Sequence, residues 1–344
     1  MPTDAKGKQP DLRSRRVLRL AISSSLSLVV SFGLALPLAF LAPVLAVLLA
    51  TTNRPISFKA GVSLTIALTL TTGCGLVLIP VLHYFPVGGA LLVIAGLFFA
   101  FLLGVRGANQ LIVMFLVIGL TMISAAGTLS FAFALTVIGA MVKGLILALV
   151  ALAFSHWLLP EPDQVQGVPS SSYVPANLAN RMAFRATLVV VPAFFLTLIN
   201  PAGFMPLILK SVSLGQQSCT TAADNAGREL IGSTLLGGLL AILFWCALSL
   251  FVHLWMLFLW MLLFSLFFSR KIYGLIPTQY GPAFWLNSLI TMIILLGQSV
   301  HDSMAGKDVY SAFALRMGLF IAVTFYACFM IRLLDQRLPT TPLS

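Results

Sequence analysis

The chain has 344 residues, 60% hydrophobic and 8% charged, with a mean hydropathy of +1.05 and a formal net charge of +11. So few charges cannot coat a soluble globule, whose composition is normally about 25% charged, and so apolar a chain is not a disordered one. What remains is a polytopic helical membrane protein, in which about twelve helices of roughly 20 residues would use about 240 positions and leave little for soluble domains.

Arg13, Arg15, Arg16 and Arg19 precede the first apolar run, at about Leu18–Leu36. The run continues almost directly into a second, so it reads as an uncleaved first span rather than a signal peptide. Further runs follow at about Leu38–Thr51, Ala60–His83, Gly88–Gly104, Ala108–Ala125 and Leu129–Leu159. A polar, proline-rich stretch with Glu161, Asp163 and three consecutive serines from Ser170 interrupts the pattern. Six more runs complete it, at about Ala186–Ile199, Ala202–Gly215, Leu230–Val252, Leu254–Phe268, Ala283–Val300 and Tyr310–Leu334. The expected organisation is a cytoplasmic tail at 1–17, a six-helix membrane block at 18–159, a cytoplasmic linker at 160–184, a second six-helix block at 185–336 and a cytoplasmic tail at 337–344.

Charge placement tests this count. With the N-terminus in the cytoplasm, nearly every basic residue falls on that side, from Lys6 through Arg54, Lys59, Arg106, Arg181, Arg185, Lys210, Arg228, Arg270 and Lys271 to Arg337. Only Lys143, Lys307 and Arg316 do not. This is the positive-inside pattern. Adding or removing one span would scramble it downstream. The basic residues punctuate the ends of apolar runs instead of forming a basic face, so nucleic acid is not an expected partner.

The halves look related. Leu97–Leu102 is followed by Arg106, as Leu263–Phe268 is by Arg270. Phe133-Ala134-Leu135 opens the sixth run and Phe313-Ala314-Leu315 the twelfth. Six helices per half would make the repeats parallel, with N- and C-termini both cytoplasmic. The second run of each half is short and proline-marked, with Pro37 and Pro43 in the first and Asn200, Pro201 and Pro206 in the second. Short, interrupted segments at matching places in two halves point to a transporter's central site. Ordinary kinked helices would read the same way, since proline is common in spans.

Lys143 lies midway along Leu129–Leu159, too far from either end to snorkel easily. An ammonium at that depth is costly and is expected to face the bundle interior or water. No Asp or Glu falls inside an apolar run, so backbone carbonyls or an anionic substrate are its expected partners. Arg316 lies a turn or two inside the last run, with Asp302 and Asp308 expected to form a solvated pair in the preceding loop. Cys74, Cys246 and Cys328 are expected as small core residues, with Cys219 in a polar loop. His83, His156, His253 and His301 show no ligand spacing, so neither a metal nor a cofactor is expected. No phosphate-binding glycine loop, zinc-protease motif or nucleophile elbow occurs, and no enzymatic activity is expected.

Several stretches together carry a family resemblance: the arginine-led first span, the proline-flanked Leu36–Phe40, and the polar turn leading into Arg228–Gly237 and, more loosely, Lys59–Val62. The chain resembles the fusaric acid resistance (FUSC) and aromatic acid exporter superfamily of bacterial inner-membrane proteins, in a compact branch without that family's large cytoplasmic domains. The resemblance implies a multi-pass bacterial inner-membrane protein that exports small organic anions beside a periplasmic membrane-fusion adaptor, and self-association into a homo-oligomer is compatible with it. The substrate-path candidates are Lys143, Arg316, Pro37, Pro43, Pro201, Pro206 and Asn200. An anion channel and a non-transporting scaffold for an adaptor are the alternatives. A major facilitator is disfavoured, because its Gly-Asp-Arg loop is absent from Thr52–Ser57.

Overall fold

The computed structural model describes residues 5–52, 57–160, 175–218 and 227–336. Most of the linker, Cys219, Arg54 and the C-terminal tail therefore lie outside the described residues. Among those described, twelve helices coincide with the twelve apolar runs. They are α1 (Ala5–Gly33), α2 (Leu41–Ala50), α3 (Phe58–Tyr84), α4 (Pro86–Val105), α5 (Gln110–Leu129), α6 (Phe131–Leu158), α7 (Ala176–Ile199), α8 (Pro201–Ser218), α9 (Gly232–Leu250), α10 (Leu254–Ile272), α11 (Pro282–Met304) and α12 (Val309–Gln336). Helix α1 starts well before residue 18. Helix α5 contains a π turn at Gly119–Ile123, and another, Gly227–Ile231, leads into α9. Ten helices are long and apolar enough to cross a membrane; the two that are not are α2 and α8. The chain is an all-helical, multi-pass membrane protein, as hydropathy required, since only a helix satisfies its backbone internally in lipid.

The chain divides into two compact units, each drawn from both halves of the sequence. The first comprises Met1–Ile66, Gly139–Pro169 and Leu235–Ala314, and so holds α1, α2, α10 and α11 with most of α6 and α9. Within it α1 packs on α2 and α10, and both of those pack on α11. The second comprises Ala67–Ile138, Ser170–Thr234 and Leu315–Ser344, and holds α4, α5, α7 and α8 with most of α3 and α12. Within it α7 packs on α8 and α4, and both of those pack on α5. Each pairing in one unit becomes a pairing in the other when the helix number shifts by six.

Small side chains set the closest approaches. Ser23, Ser24, Ser25, Ser27 and Ser31 of α1 are fully buried. Most of these hydroxyls donate to carbonyls one turn back, and Ser24 Oγ also donates to Ser265 Oγ of α10 at 3.0 Å. Membrane helices associate through such residues because lipid supplies no hydrophobic drive between them. At the start of α11, Phe284 and Trp285 are buried, with Tyr280 stacked on Phe284 at 4.3 Å. Lys271 of α10 sits over the Trp285 ring, 4.3 Å from its centroid. The other tryptophans are more exposed, most of all Trp157 and Trp255 at helix ends, where interfacial residues belong. Cys328 is buried, but Cys74 and Cys246 are exposed, against the expectation that all three fill the core. The reason is that spans are apolar on every side, so an apolar neighbourhood in sequence does not mark an inward face.

The loop from α1 to α2 is unusual. Ala35 N–H donates to Phe32 O and Leu36 N–H to Ser31 O, closing α1 with the turn that normally carries glycine at its left-handed position. Here Ala35 occupies it, at φ 47°, and Leu38 follows at φ 54°. A left-handed alanine costs about 1–2 kcal/mol, against about 0.5–1 kcal/mol of extra backbone entropy for glycine. Ala35→Gly is therefore expected to stabilise the protein by about 0.5–1 kcal/mol, read as a higher thermal midpoint in detergent. A lower midpoint would contradict the left-handed turn.

Candidate functional site

In the first unit the polar features gather where α2 begins. Helix α2 has ten residues, a length of about 15 Å, half of the roughly 30 Å hydrocarbon core. Its last turn lies at the end of α10, because Tyr273 Oη donates to Ala50 O at 3.3 Å. Its first turn lies halfway along α6, because a Cβ on Gly144 would stand 3.4 Å from Ala42 N and 3.6 Å from Leu41 Cβ. A Cβ on Gly297 of α11 would meet Phe40 Cβ at 2.4 Å. Helix α2 therefore begins at mid-depth, beside α6 and α11, where Leu41 N–H donates to Leu38 O and Val44 N–H to Phe40 O.

Three of the residues singled out by the sequence, Pro37, Pro43 and Lys143, fall around this point. Pro43 is the third residue of α2, inside the first turn, where a missing N–H breaks no helical bond; it does not interrupt the helix, as its spacing from Pro37 had implied. Pro37 is exposed in the left-handed loop. Lys143 precedes Gly144, about 18 Å along α6 from Phe131 and about 22 Å from Leu158. It is exposed rather than turned into the bundle, on a stripe with Leu135, Ile146, Val150 and Phe154. Helical geometry explains this: Gly144 faces α2, and Lys143 stands about 100° around the axis from it.

Helix α11 supplies the polar interior of the unit. It is the most buried of the ten long helices. Asn287, Thr291, Gln298 and Asp302 lie along one face at near-helical spacing, flanked by Ser288 and Ser299, and all six are buried. Ser288, Thr291 and Ser299 donate to carbonyls of their own helix. Asp302 is 1% exposed, not part of a solvated loop, because α11 continues to Met304 and carries it inward in its last turn. Asp308 is the loop residue, with Oδ1 accepting from Tyr310 N–H at 3.2 Å at the start of α12.

In the second unit, sequence reasoning missed the main residue. Lys210 had been grouped with the cytoplasmic basic residues. It lies in the middle of α8 and is wholly buried. Its depth follows from Gly215, whose Cβ would stand 3.1 Å from Phe101 Cζ, 3.2 Å from Val190 Cγ2 and 3.4 Å from Ala186 O. Phe101 is four residues from the end of α4, so Lys210 is about 13 Å inside that boundary, near mid-depth. Gln216 Nε2 donates to Gln110 O at 3.2 Å, which ties the end of α8 to the start of α5. Lys210 then lies near the level at which α5 opens into its π turn. Such turns are frequent at functional sites. The usable signal was that Lys210 sits within the apolar stretch Met205–Leu214, five residues before Gly215.

The remaining candidates have local roles. Asn200 is exposed, and its Oδ1 accepts from Gly203 N–H at 3.1 Å, capping α8. Pro201 is the first residue of α8, while Pro206 is buried inside it. Arg316 is half-buried in the second turn of α12.

Chemically, each unit places cationic character at mid-depth: Lys143 beside the first turn of α2 in one, and buried Lys210 in the other. Ammonium groups favour carboxylates. Residues 16–154, from α1 to near the end of α6, match a family model described as "Protein of unknown function (DUF2955)". No curated protein and no solved structure matches the chain.

Proposed function

We propose that this protein is a transporter-like component of the bacterial inner membrane that exports small organic anions, aromatic carboxylates among them, together with a periplasmic adaptor. The observation that carries the reading is Lys210, a fully buried lysine near mid-depth in the second helix of the second half. A buried intramembrane cation is a functional site by default, and an organic carboxylate is the chemistry it would recognise. The reading includes cytoplasmic termini, from the distribution of basic residues. It also includes an internal duplication, supported by the six-shift correspondence of helix pairings and by a family match that ends with the sixth helix. The resemblance to the aromatic acid exporter superfamily supplies the adaptor partner.

The test is flux from vesicles containing the purified chain. Loaded benzoate should leave these vesicles faster than empty ones, while benzamide, its neutral analogue, should not. Equal rates for both compounds would overturn the reading. Benzoate flux that ignores an imposed proton gradient would assign a channel instead of a coupled exporter.

A further inference from the structure

The basic residues at the end of the molecule where α1 begins do more than record topology. Helices α1 and α10 run antiparallel in the first unit: Gly33 lies beside Leu254, and Ser24 bonds Ser265. Five residues beyond that serine pair, towards the start of α1, come Arg19 on one helix and Arg270 on the other, at the same depth. Arg15 and Arg16 lie one turn further along α1, and Lys271 follows Arg270. Arg19 is only 4% exposed, Arg15 and Arg16 are half-buried, and Arg270 is exposed. Lys271 Nζ lies over the Trp285 ring. Arg15 Nη1 donates to Pro160 O at 3.1 Å. Helix α1 carries one acidic residue, Asp11, and α10 none, so these five cations leave a net positive collar.

The second unit repeats the arrangement at matching positions. Arg181 and Arg185 stand four residues apart on α7, as Arg15 and Arg19 do on α1. The inner residue of this pair is again buried, at 8% exposed. Helix α7 packs on α4, whose C-cap is Arg106. The contacts of Gly215 with Phe101 and Ala186 put Arg106 near the level of Arg181, with buried Arg185 about one helical turn deeper. Orientation alone calls for charges in loops; it does not call for a buried arginine at the same helical position of each unit.

We propose that each collar binds the phosphate headgroup of an anionic phospholipid, the buried arginine meeting the phosphate from below and the exposed cations surrounding it. Basic pockets between membrane helices recognise such headgroups, and the arginine fork matches phosphate geometry. The site depends on the collar lying at a membrane boundary, not on the transport reading.

The experiment is native mass spectrometry of the purified full chain, with its thermal midpoint, after adding phosphatidylglycerol or phosphatidylcholine. Wild type should retain phosphatidylglycerol preferentially and gain thermal stability from it. Wild type should hold up to two such lipids. Arg16→Gln with Arg270→Gln should weaken one of the two sites roughly tenfold or more while the collar of the second unit keeps its own, given about a tenfold loss in binding per one to two surface cations. The control Lys59→Gln with Lys307→Gln, which removes the same charge elsewhere, should retain both. Equal retention by the collar variant and wild type, equal retention of both lipids, or full reproduction of the stabilisation by inorganic phosphate would each overturn the proposal. The midpoint without lipid shows whether the variant is folded, and Arg270→Gln alone, at an exposed position, tests the collar if the double variant is not. Because detergent solution reports neither orientation nor flux, failure here is distinct from failure of the transport reading.

Discussion

Lys210→Met is expected to accumulate and melt like the wild-type protein yet lose benzoate flux from vesicles by about tenfold to a hundredfold. The magnitude follows from losing one charge-assisted hydrogen bond of about 1.5–3 kcal/mol to a carboxylate. The stability expectation follows from burial, since methionine, of similar length, removes the cost of holding an ammonium away from water. Lys210→Arg should recover part of the flux, because the charge remains while the fork geometry differs. Wild-type flux in Lys210→Met would sink the assignment, and unfolding would recast Lys210 as structural. Lys143→Leu serves as the companion on the first unit. If Lys143 meets substrate, flux falls at unchanged protein amount. If its exposed stripe simply meets lipid, the protein melts higher and flux is kept.

Gly73→Ala and Gly75→Ala, two residues apart on one helix, should move stability in opposite directions. A Cβ at Gly73 meets nothing within 4 Å, whereas at Gly75 it would stand 2.1 Å from Gly119 O and 3.0 Å from Ile123 Cβ. The crossing is reciprocal, since a Cβ on Gly119 would lie 2.4 Å from Thr71 O. Alanine at 73 should add up to about 1 kcal/mol through helix propensity. Alanine at 75 should cost about 1–3 kcal/mol, at the upper end because the obstacle is backbone that no rotamer change can move. Thermal midpoints of the two purified variants check this. A shift of the same sign in both would mean that α3 and α5 do not cross backbone to backbone. Gly119→Ala should resemble Gly75→Ala, and the double variant should cost less than their sum, because both open the same contact.

The aromatic resemblance and the polar positions bear on function at different levels. The resemblance nominates a substrate class, while mid-depth Lys143 and Lys210 nominate where such a substrate would be met. The two second helices reach that depth differently. Helix α2 is short and begins there after a loop with two left-handed residues, with no charged side chain of its own. Helix α8 starts directly at Pro201 and brings a lysine instead.

By itself, the sequence determined that this is a helical membrane protein and where its twelve helices lie, down to the shortness of α2; α8, expected to be as short, has 18 residues, nearly the 19 of α10. Every spanning segment must satisfy its own backbone, which forces long apolar helices that hydropathy reads directly. It also located Lys143 at mid-helix, because depth along a straight helix is a matter of counting. Tertiary structure alone decided which helices meet: α1 with α10 and α7 with α4, in units that each draw on both halves. It decided too that Lys210 and Asp302 are buried while Lys143 and Cys74 are exposed. The physical reason is that lipid and protein interior are nearly equally apolar. The inward and outward faces of a span therefore carry the same kinds of side chain, and the periodicity that marks a core face in a water-soluble helix is weak here. What remains to choose partners is close fit at serines and glycines such as Ser24, Gly75 and Gly144, and fit is a property of two surfaces together.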